Sequence, residues 1–344
     1  MHGAGGECSD VRRVLTIVLL AILASPLAPA RAEIAGPTFD AHRGPGRDYW
    51  LFTPSGDPAV ARPLVIYLHG CSQTAEDAAR GTRWNELAER EGALVVYPEQ
   101  SPAANGAQCW NWFEPDHQVR GNGEPAIIMA IVAEVMAARR VDLKRVYAIG
   151  ASAGADMATI LGATYPDVLA AIAPFAGCAY LTCADVTGEA ARAAMGSRER
   201  SMPAMVVQGT ADPLNNVVLG ESAVRQWLGT NRLDPTPTST EDHGDPSAVE
   251  PGSGDPCVRN RNFPCAGGAL GWSAYPATVH HHADERGCVV VDAWYVHGLS
   301  HDYPSGDPEG SFTDPIGPDL TAAAWSFFRA HRVGAPCGGE GVAG

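Results

Sequence analysis

The sequence carries the run VYAIGASAGADMATILGAT over residues 146–164. Its first residues are apolar, as expected of a buried strand, and the residues from Ala153 onward favour a helix. Between the two parts, Gly150-Ala151-Ser152-Ala153-Gly154 fits the pattern G-x-S-x-G. That pattern places a serine on a sharp turn from a strand to a helix, where its hydroxyl is exposed to substrate. We interpret Ser152 as a catalytic nucleophile.

Strands and helices alternate on both sides of this run. We predict strands over residues 47–53 (at the edge of a sheet), 64–68, 93–97, 146–149, 171–175, 204–207 and 288–296. Helices are predicted over residues 82–91, 124–140, 153–164, 221–228 and 319–331. This alternation is typical of a mostly parallel central sheet with helices on both faces. Together with the serine turn, it indicates the α/β class and an α/β-hydrolase fold.

A serine hydroxyl needs a base to take its proton, and the base needs a carboxylate to orient it. In this fold the acid and then the histidine follow the serine along the chain, each after a strand. Asp212 comes soon after the strand at 204–207, and His301 comes soon after the strand at 288–296. We therefore predict Ser152, Asp212 and His301 as the triad. The competing carboxylates, none of which follows a strand as directly, are Asp185, Asp234, Asp242 and Asp245.

The tetrahedral intermediate of an acyl transfer needs two N–H donors for its oxyanion. One is expected from the backbone of Ala153, directly after the nucleophile. The other is expected from Cys71, because it follows the strand at 64–68 and the preceding Gly70 lets the backbone turn. The rival interpretation makes Cys71 a thiol nucleophile, but no second base is evident for it.

Cys109 lies in the loop after the strand at 93–97, the neighbour of the strand that precedes Cys71. Both loops would reach the same rim of the sheet, so we hypothesise a Cys71–Cys109 disulfide that stiffens the oxyanion loop. The aromatic residues Trp110 and Trp112 follow Cys109 directly. They either pack beneath the rim or form an apolar wall for the substrate.

Two further features carry no catalytic prediction. The histidines at 280–282 face alternate sides of an extended segment, with no acidic or thiolate partners at ligand spacing in the sequence, so we expect no metal site. We also expect no organic cofactor. Residues 231–287 are rich in Pro, Gly, Asp and Thr and contain Cys257 and Cys265. We interpret them as an irregular excursion near the active-site face, either a lid or a surface loop without a role.

The first 32 residues resemble a secretory signal peptide. Arg12 and Arg13 precede an apolar run over residues 14–24, and Ala30-Arg31-Ala32 offers a cleavage site. The run is shorter than the ~20 residues that span a bilayer, so we expect secretion to the extracellular space or periplasm without a stable membrane anchor. Eight of the nine cysteines follow this segment, which fits an oxidising compartment.

Composition limits the remaining classes of function. Residues 33–344 are long enough for one catalytic domain and show no boundary of a second. The net charge of −15 argues against nucleic-acid binding, which needs a basic surface. We expect a monomer whose partner is an ester substrate.

Several short motifs together resemble the secreted polyhydroxybutyrate depolymerase family of esterases, over residues 47–331. They are Leu68-His69-Gly70-Cys71, residues 109–113 (CWNWF), residues 120–124 (RGNGE), the Ser152 turn, Tyr165-Pro166-Asp167 and Gly317-Pro318-Asp319. The resemblance implies that Ser152, Asp212 and His301 are the triad and that Cys71 is the family's oxyanion cysteine. After His301 the family has an aromatic residue and a double glycine. Here Tyr303 takes the aromatic place, as a candidate substrate contact, and an acidic residue replaces one glycine.

This resemblance implies a serine ester hydrolase that acts on short-chain polyhydroxyalkanoate polymer or oligomers. The alternative is a feruloyl or acetylxylan esterase, because related chains share the same catalytic framework. Two more distant alternatives are a secreted serine peptidase and a non-catalytic polymer-binding protein. The last predicts no labelling of Ser152 by a fluorophosphonate.

Overall fold

A ten-stranded sheet runs through the computed structural model, which describes residues 35–244, 275–334 and 337. In chain order, the strands of the sheet are β1 Thr38–Arg43, β2 Asp48–Thr53, β3 Arg62–Leu68, β4 Leu94–Pro98, β5 Val141–Ala151, β6 Ala171–Phe175, β7 Ala204–Gly209, β8 Ser239–His243, β9 Ala277–Ala283 and β10 Val289–Val296. Two short strands, β11 Tyr303–Pro304 and β12 Thr313–Asp314, pair separately with each other.

The centre of the sheet is parallel. Its order is β1-β2-β4-β3-β5-β6-β7-β10-β9-β8, and the six strands from β4 to β10 run in the same direction. Antiparallel pairs close both sides, β1 and β2 at one edge and β9 and β8 at the other. The carboxyl ends of the parallel strands therefore meet along one rim, where ligands bind in open α/β sheets.

Seven helices flank the sheet in the described residues: α1 Ala75–Thr82, α2 Trp84–Glu91, α3 Gly123–Ala138, α4 Ala153–Thr164, α5 Glu189–Met195, α6 Val217–Asn231 and α7 Leu320–Arg329. Helices α3 to α6 pack on one face of the sheet, and α1, α2 and α7 pack on the other. Successive strand residues alternate between the two cores, so Leu64 and Ile66 join the first and Val65 and Tyr67 the second. The predicted fold class is confirmed.

Two local predictions were wrong. Residues 47–53 were predicted as the edge strand, but β1 pairs outside β2 and takes the edge position. Residues 82–91 were predicted as one helix, whereas the structure has α1 and α2 separated at Arg83. Arg83 has φ 59°, a left-handed conformation in which its N–H caps the carbonyl of Arg80 and ends α1.

The prediction of an irregular segment over residues 231–287 was also partly wrong, because β8 and β9 lie inside it. All five residues of β8 are exposed, so the edge strand has no apolar alternation for a sequence pattern to reveal. Residues 245–274, which include Cys257 and Cys265, lie outside the described residues.

The signal-peptide prediction also concerns residues that the structure does not describe, and it stays a prediction. In the parts of the chain that are described, no helix combines the length and apolar character needed to cross a membrane.

Candidate functional site

Ser152 lies on a strained turn between the end of β5 and the start of α4. Its backbone has φ 56° and ψ −126°, values that a residue with a side chain rarely adopts. The turn is fixed from both sides. Ser152 N donates to Phe175 O at 2.9 Å, and Ser152 O accepts from Ala155 N at 2.8 Å. The hydroxyl is therefore presented at the rim by a backbone that its neighbours hold in place.

Two glycines make this turn sterically feasible. A Cβ atom at Gly150 would overlap the carbonyl oxygen of Gly154. A Cβ atom at Gly154 would overlap the carbonyl oxygen of Leu68 in β3. The chain on either side of Ser152 therefore passes other backbone too closely for any side chain, which is the physical reason for the spacing of the motif.

Asp212 and His301 form a buried pair on the same rim. His301 Nδ1 donates to Asp212 Oδ2 at 2.6 Å, and both residues are 5% exposed. The other carboxylate oxygen, Oδ1, accepts from the N–H groups of Leu214 and Asn215 at 2.8 Å each. These bonds orient the carboxylate, and the proton on Nδ1 leaves Nε2 of His301 as the basic nitrogen.

Ser152 and His301 line the same cavity, which has a volume of about 530 Å³ and a mainly apolar wall. The cavity lies between β3, β5 and β6 on one side and α1 and the segment 301–313 on the other. The residues around it are Tyr67, Gly70, Cys71, Ser72, Gln73, Ala78, Gly81, Thr82, Ala151, Ser152, Phe175, Leu214, His301, Tyr303, Phe312 and Thr313. The structure thus brings a hydroxyl, an imidazole and, behind it, a carboxylate to one cavity.

Backbone N–H groups stand beside Ser152. Ala153 is the first residue of α4, so its N–H has no acceptor within the helix. The loop of Gly70 and Cys71 approaches closely, because a Cβ atom at Gly70 would lie 3.4 Å from the Cβ of Ser152. The neighbouring Ser72 N–H is taken by the carbonyl of Ala107, whereas no described residue accepts from Cys71 N–H. This arrangement is suited to receive an oxyanion.

A disulfide joins Cys71 to Cys109, with their Cα atoms 4.1 Å apart. It ties the loop after β3 to the loop that follows β4, its parallel neighbour. Cys71 therefore has no free thiol to act as a nucleophile. Two further disulfides join other described cysteines, Cys178 to Cys183 and Cys288 to Cys337.

His69 supports the oxyanion loop, a role that the sequence analysis missed. Its Nδ1 donates to Gly70 O at 2.8 Å, and its Nε2 accepts from Gln100 N at 3.0 Å. Complete burial lowers the pKa of His69 to about 4, so the ring is neutral at physiological pH with its proton on Nδ1. The residue stood inside the LHGC motif, but its sequence neighbours did not indicate these partners.

Glu124 organises the loop that carries Cys109, and the sequence analysis missed this residue too. Its carboxylate is fully buried and accepts from Asn111 N at 2.6 Å and from Asn111 Nδ2 at 2.8 Å. It also accepts from the side-chain amide of Gln100, and Arg47 Nη2 lies 3.5 Å away. The only sequence signal was its place at the end of the RGNGE motif.

The three aromatic candidates occupy different environments. Trp110 is fully buried, and its indole N–H donates to His69 O at 3.1 Å, so it packs beneath the rim and does not line the cavity. Trp112 is half-buried against the core and also lies away from the cavity wall. Tyr303 does line the cavity, and its hydroxyl bonds to Thr321 Oγ1 at 2.9 Å.

The histidines at 280–282 lie in β9. The sequence suggested no acidic partner for them, but the structure places His281 Nδ1 2.7 Å from Asp292 Oδ1 and His281 Nε2 3.6 Å from Glu241 Oε2. Elsewhere in the described residues, Cys288, His331 and Cys337 come close enough to share a metal ion. The two sulfurs of that group are already bonded to each other.

The comparison with known proteins agrees with this geometry. Residues 47–228, more than half of the chain, match the family described as Esterase PHB depolymerase. The chain belongs to this family. The Esterase PHB depolymerase match includes Ser152 and Asp212 and ends before His301, which the structure brings to Asp212.

Two curated relatives are named for different substrates. Poly(3-hydroxyalkanoate) depolymerase C of Paucimonas lemoignei is 46% identical over 134 residues, which is 39% of this chain and 32% of the relative. Feruloyl esterase B of Neurospora crassa is 33% identical over 132 residues, which is 38% of this chain and 44% of the relative. This chain thus spans less than half the length of either relative.

A solved structure supports the fold over most of the chain. The acetyl xylan esterase from Aspergillus awamori superimposes with a TM-score of 0.57, covering 79% of this chain and 95% of that one. At 19% sequence identity, this likeness concerns the fold alone.

Proposed function

We propose that this chain is a secreted serine ester hydrolase that works through an acyl-enzyme. The observation that carries the proposal is the His301–Asp212 hydrogen bond beside the cavity that Ser152 lines. A buried, carboxylate-oriented imidazole that lines the same cavity as a serine on a strained turn is an arrangement for making the hydroxyl nucleophilic. Membership of the Esterase PHB depolymerase family supports the same chemistry.

In the first half of the reaction, Ser152 Oγ attacks the ester carbonyl carbon and His301 Nε2 takes the hydroxyl proton. Asp212 holds the ring and stabilises the imidazolium. The N–H groups of Ala153 and Cys71 donate to the oxyanion of the tetrahedral intermediate. When the intermediate collapses, the alcohol leaves with the proton from His301, and the acyl group stays bonded to Ser152.

In the second half, His301 removes a proton from water, whose oxygen attacks the acyl carbonyl carbon. The second tetrahedral intermediate places its oxyanion at the same two N–H groups. Its collapse releases the carboxylic acid and returns the proton to Ser152 Oγ. Every proton is moved by His301, so the proposed sequence requires no metal or organic cofactor.

We propose short-chain polyhydroxyalkanoate polymer or oligomers as the substrate, on the basis of the family and of the 46% identical depolymerase. The alternative, a feruloyl or acetylxylan esterase that acts on plant polysaccharide, is favoured by the 33% identical feruloyl esterase. Export is proposed because residues 1–32 resemble a signal peptide and three disulfides join described cysteines.

A substrate panel on the purified mature protein tests both the proposed esterase activity and the proposed substrate. Release of 3-hydroxybutyrate from polymer or oligomers supports the first substrate, and release of ferulate or acetate from polysaccharide supports the alternative. Ser152→Ala should abolish hydrolysis of a short p-nitrophenyl ester and labelling by a fluorophosphonate. Turnover retained by Ser152→Ala would overturn the assignment of the nucleophile.

A further inference from the structure

Tyr67 lines the cavity, and its hydroxyl has no hydrogen-bond partner among the described residues. The residue is 1% exposed and lines the same cavity as Ser152. No hydrogen bond joins its hydroxyl to any residue that the structure describes. In the sheet, Tyr67 is paired with Ile149, three residues before the nucleophile, so its side chain belongs to the wall next to Ser152.

Two neighbouring phenols show that such a hydroxyl normally finds a partner in this core. The rings of Tyr97 and Tyr303 lie 5.8 Å and 6.4 Å from that of Tyr67. Tyr97 OH donates to Asn85 Oδ1 at 2.8 Å, and Tyr303 OH bonds to the hydroxyl of Thr321. A substrate that fills the cavity excludes solvent from the Tyr67 hydroxyl. An acyl group that offers an oxygen then supplies an acceptor, whereas one that offers none leaves the donor unpaired at a cost in free energy.

Most of the remaining cavity wall is apolar. Phe175, Ala151 and Ala78 supply apolar surface. The side chains of Thr82 and Thr313 already donate to backbone carbonyls. Gln73 is bonded to Gly70 N and Ser311 O, and Ser72 is exposed to solvent. Of the two parts of an ester, the acyl group remains bonded to Ser152 after the alcohol has left. The apolar cavity beside Ser152 therefore suits the acyl group, and the leaving alcohol requires an open path to solvent.

We propose that Tyr67 OH donates to an oxygen carried by the acyl group of the substrate. The site then prefers acyl groups that contain an oxygen beyond the ester carbonyl over plain hydrocarbon acyl groups. Both a 3-hydroxyacyl unit and a hydroxyaryl group such as hydroxycinnamoyl meet this requirement. The inference rests on the proposed esterase function and narrows its substrate class.

The test compares matched pairs of esters in which only this oxygen differs. One pair is p-nitrophenyl 3-hydroxybutyrate and p-nitrophenyl butyrate, and the other is methyl 4-hydroxycinnamate and methyl cinnamate. Tyr67→Phe should lower the ratio of kcat/KM within a pair about tenfold, the size of one neutral hydrogen bond. A fall in the first pair alone identifies a hydroxyacyl group, a fall in the second alone a hydroxyaryl group, and a fall in both their shared chemistry.

Tyr97→Phe is the matched control, because it removes a buried phenol hydroxyl that does not line the cavity, and both ratios should stay as in the wild type. Since Tyr67 OH has no partner to lose, Tyr67→Phe should melt no lower than the wild type. Unchanged ratios in both pairs, or a lowered melting temperature or failed folding of Tyr67→Phe, would overturn the inference while leaving the esterase proposal intact. A wild-type protein that cleaves none of the four esters would instead reject the esterase function, and the inference with it.

Discussion

His69 Nε2 accepts a hydrogen bond from the backbone N–H of Gln100, and this bond joins the carboxyl ends of the parallel strands β3 and β4. The opposite ring nitrogen donates to Gly70 O, one residue before the proposed oxyanion donor Cys71. A ring that is neutral and fully buried can do both at once, which a protonated ring with two N–H donors cannot. The bond thus sets the direction of the loop at the cavity.

We predict that breaking either half of this bridge lowers kcat more than it raises KM. His69→Gln keeps an acceptor for Gln100 N but loses the donor to Gly70, and His69→Asn does the reverse. An oxyanion donor acts in the transition state, so a loosened loop should cost about tenfold in kcat. Steady-state kinetics on a p-nitrophenyl ester measures the split, and kcat unchanged in both variants would contradict a positioning role.

The Cys71–Cys109 disulfide closes a loop with a sequence separation of 38, compared with 5 for Cys178–Cys183. The chain-entropy model assigns about 4 kcal/mol to the longer loop and about 2 kcal/mol to the shorter one. We predict that replacing Cys71 and Cys109 together by Ala lowers the free energy of unfolding, measured with urea, by more than replacing Cys178 and Cys183 does. It should also lower kcat, because the backbone at position 71 loses its brace.

Replacing Cys178 and Cys183 together by Ala is the control for this prediction. That pair lies in the loop after β6 and does not line the cavity. The Cys178/Cys183 double variant should lower the free energy of unfolding by the smaller amount, about 2 kcal/mol, and should lower kcat less. Equal kcat losses in the two double variants would show that the Cys71–Cys109 bridge has no special relation to the site.

The sequence predicted the centre of the fold well because burial there follows chain-local patterns. The strands β3, β6 and β7 are buried throughout and mostly apolar, and α4 begins directly after the serine turn. The edge strand β8 was missed, since all its residues are exposed and no alternation marks it. Patterns of burial therefore reveal central strands and leave polar edges unseen.

Candidate site residues were predictable where a motif or chain order constrains them. Ser152 lies in a five-residue pattern, and Asp212 and His301 each follow a strand. The partners of Glu124 lie 7 to 77 residues away along the chain, outside its own helix. The unpartnered hydroxyl of Tyr67 depends on which neighbours surround it after folding. Contacts between residues that are distant in the sequence form only in the folded chain, so no local sequence pattern reveals them.

Glu124→Gln should destabilise the fold by about 3 kcal/mol. The buried carboxylate accepts bonds on both oxygens, from Asn111 N and Nδ2 and from the amide of Gln100. A glutamine amide would turn an N–H group against one of these donors and leave Arg47 without its counter-charge. Urea unfolding should show a lower midpoint with an unchanged slope.

Glu134→Gln provides the control on the same helix. Glu134 is exposed and accepts one hydrogen bond, from Tyr49 OH at 2.9 Å. Its substitution should change the free energy of unfolding by less than about 1 kcal/mol. Similar losses in the Glu124 and Glu134 variants would contradict the assignment of Glu124 as the hub of the loop.

Asp156 should make the fold less stable as the pH rises from about 4 to about 7. It lies in the first turn of α4, where burial raises its pKa from 3.8 to about 7. The folded state therefore holds this proton more tightly than the unfolded state does. The resulting stabilisation is complete below about pH 4 and is lost by about pH 7. In the wild type, Cys178 N donates to Asp156 Oδ1 at 2.8 Å. Asp156→Asn removes the titrating group and keeps a side-chain oxygen that can accept this bond. Melting temperatures are measured from pH 4.5 to 8, and that of the variant should increase relative to that of the wild type as the pH rises. A difference in melting temperature that does not change with pH would contradict a titration of Asp156 in this range.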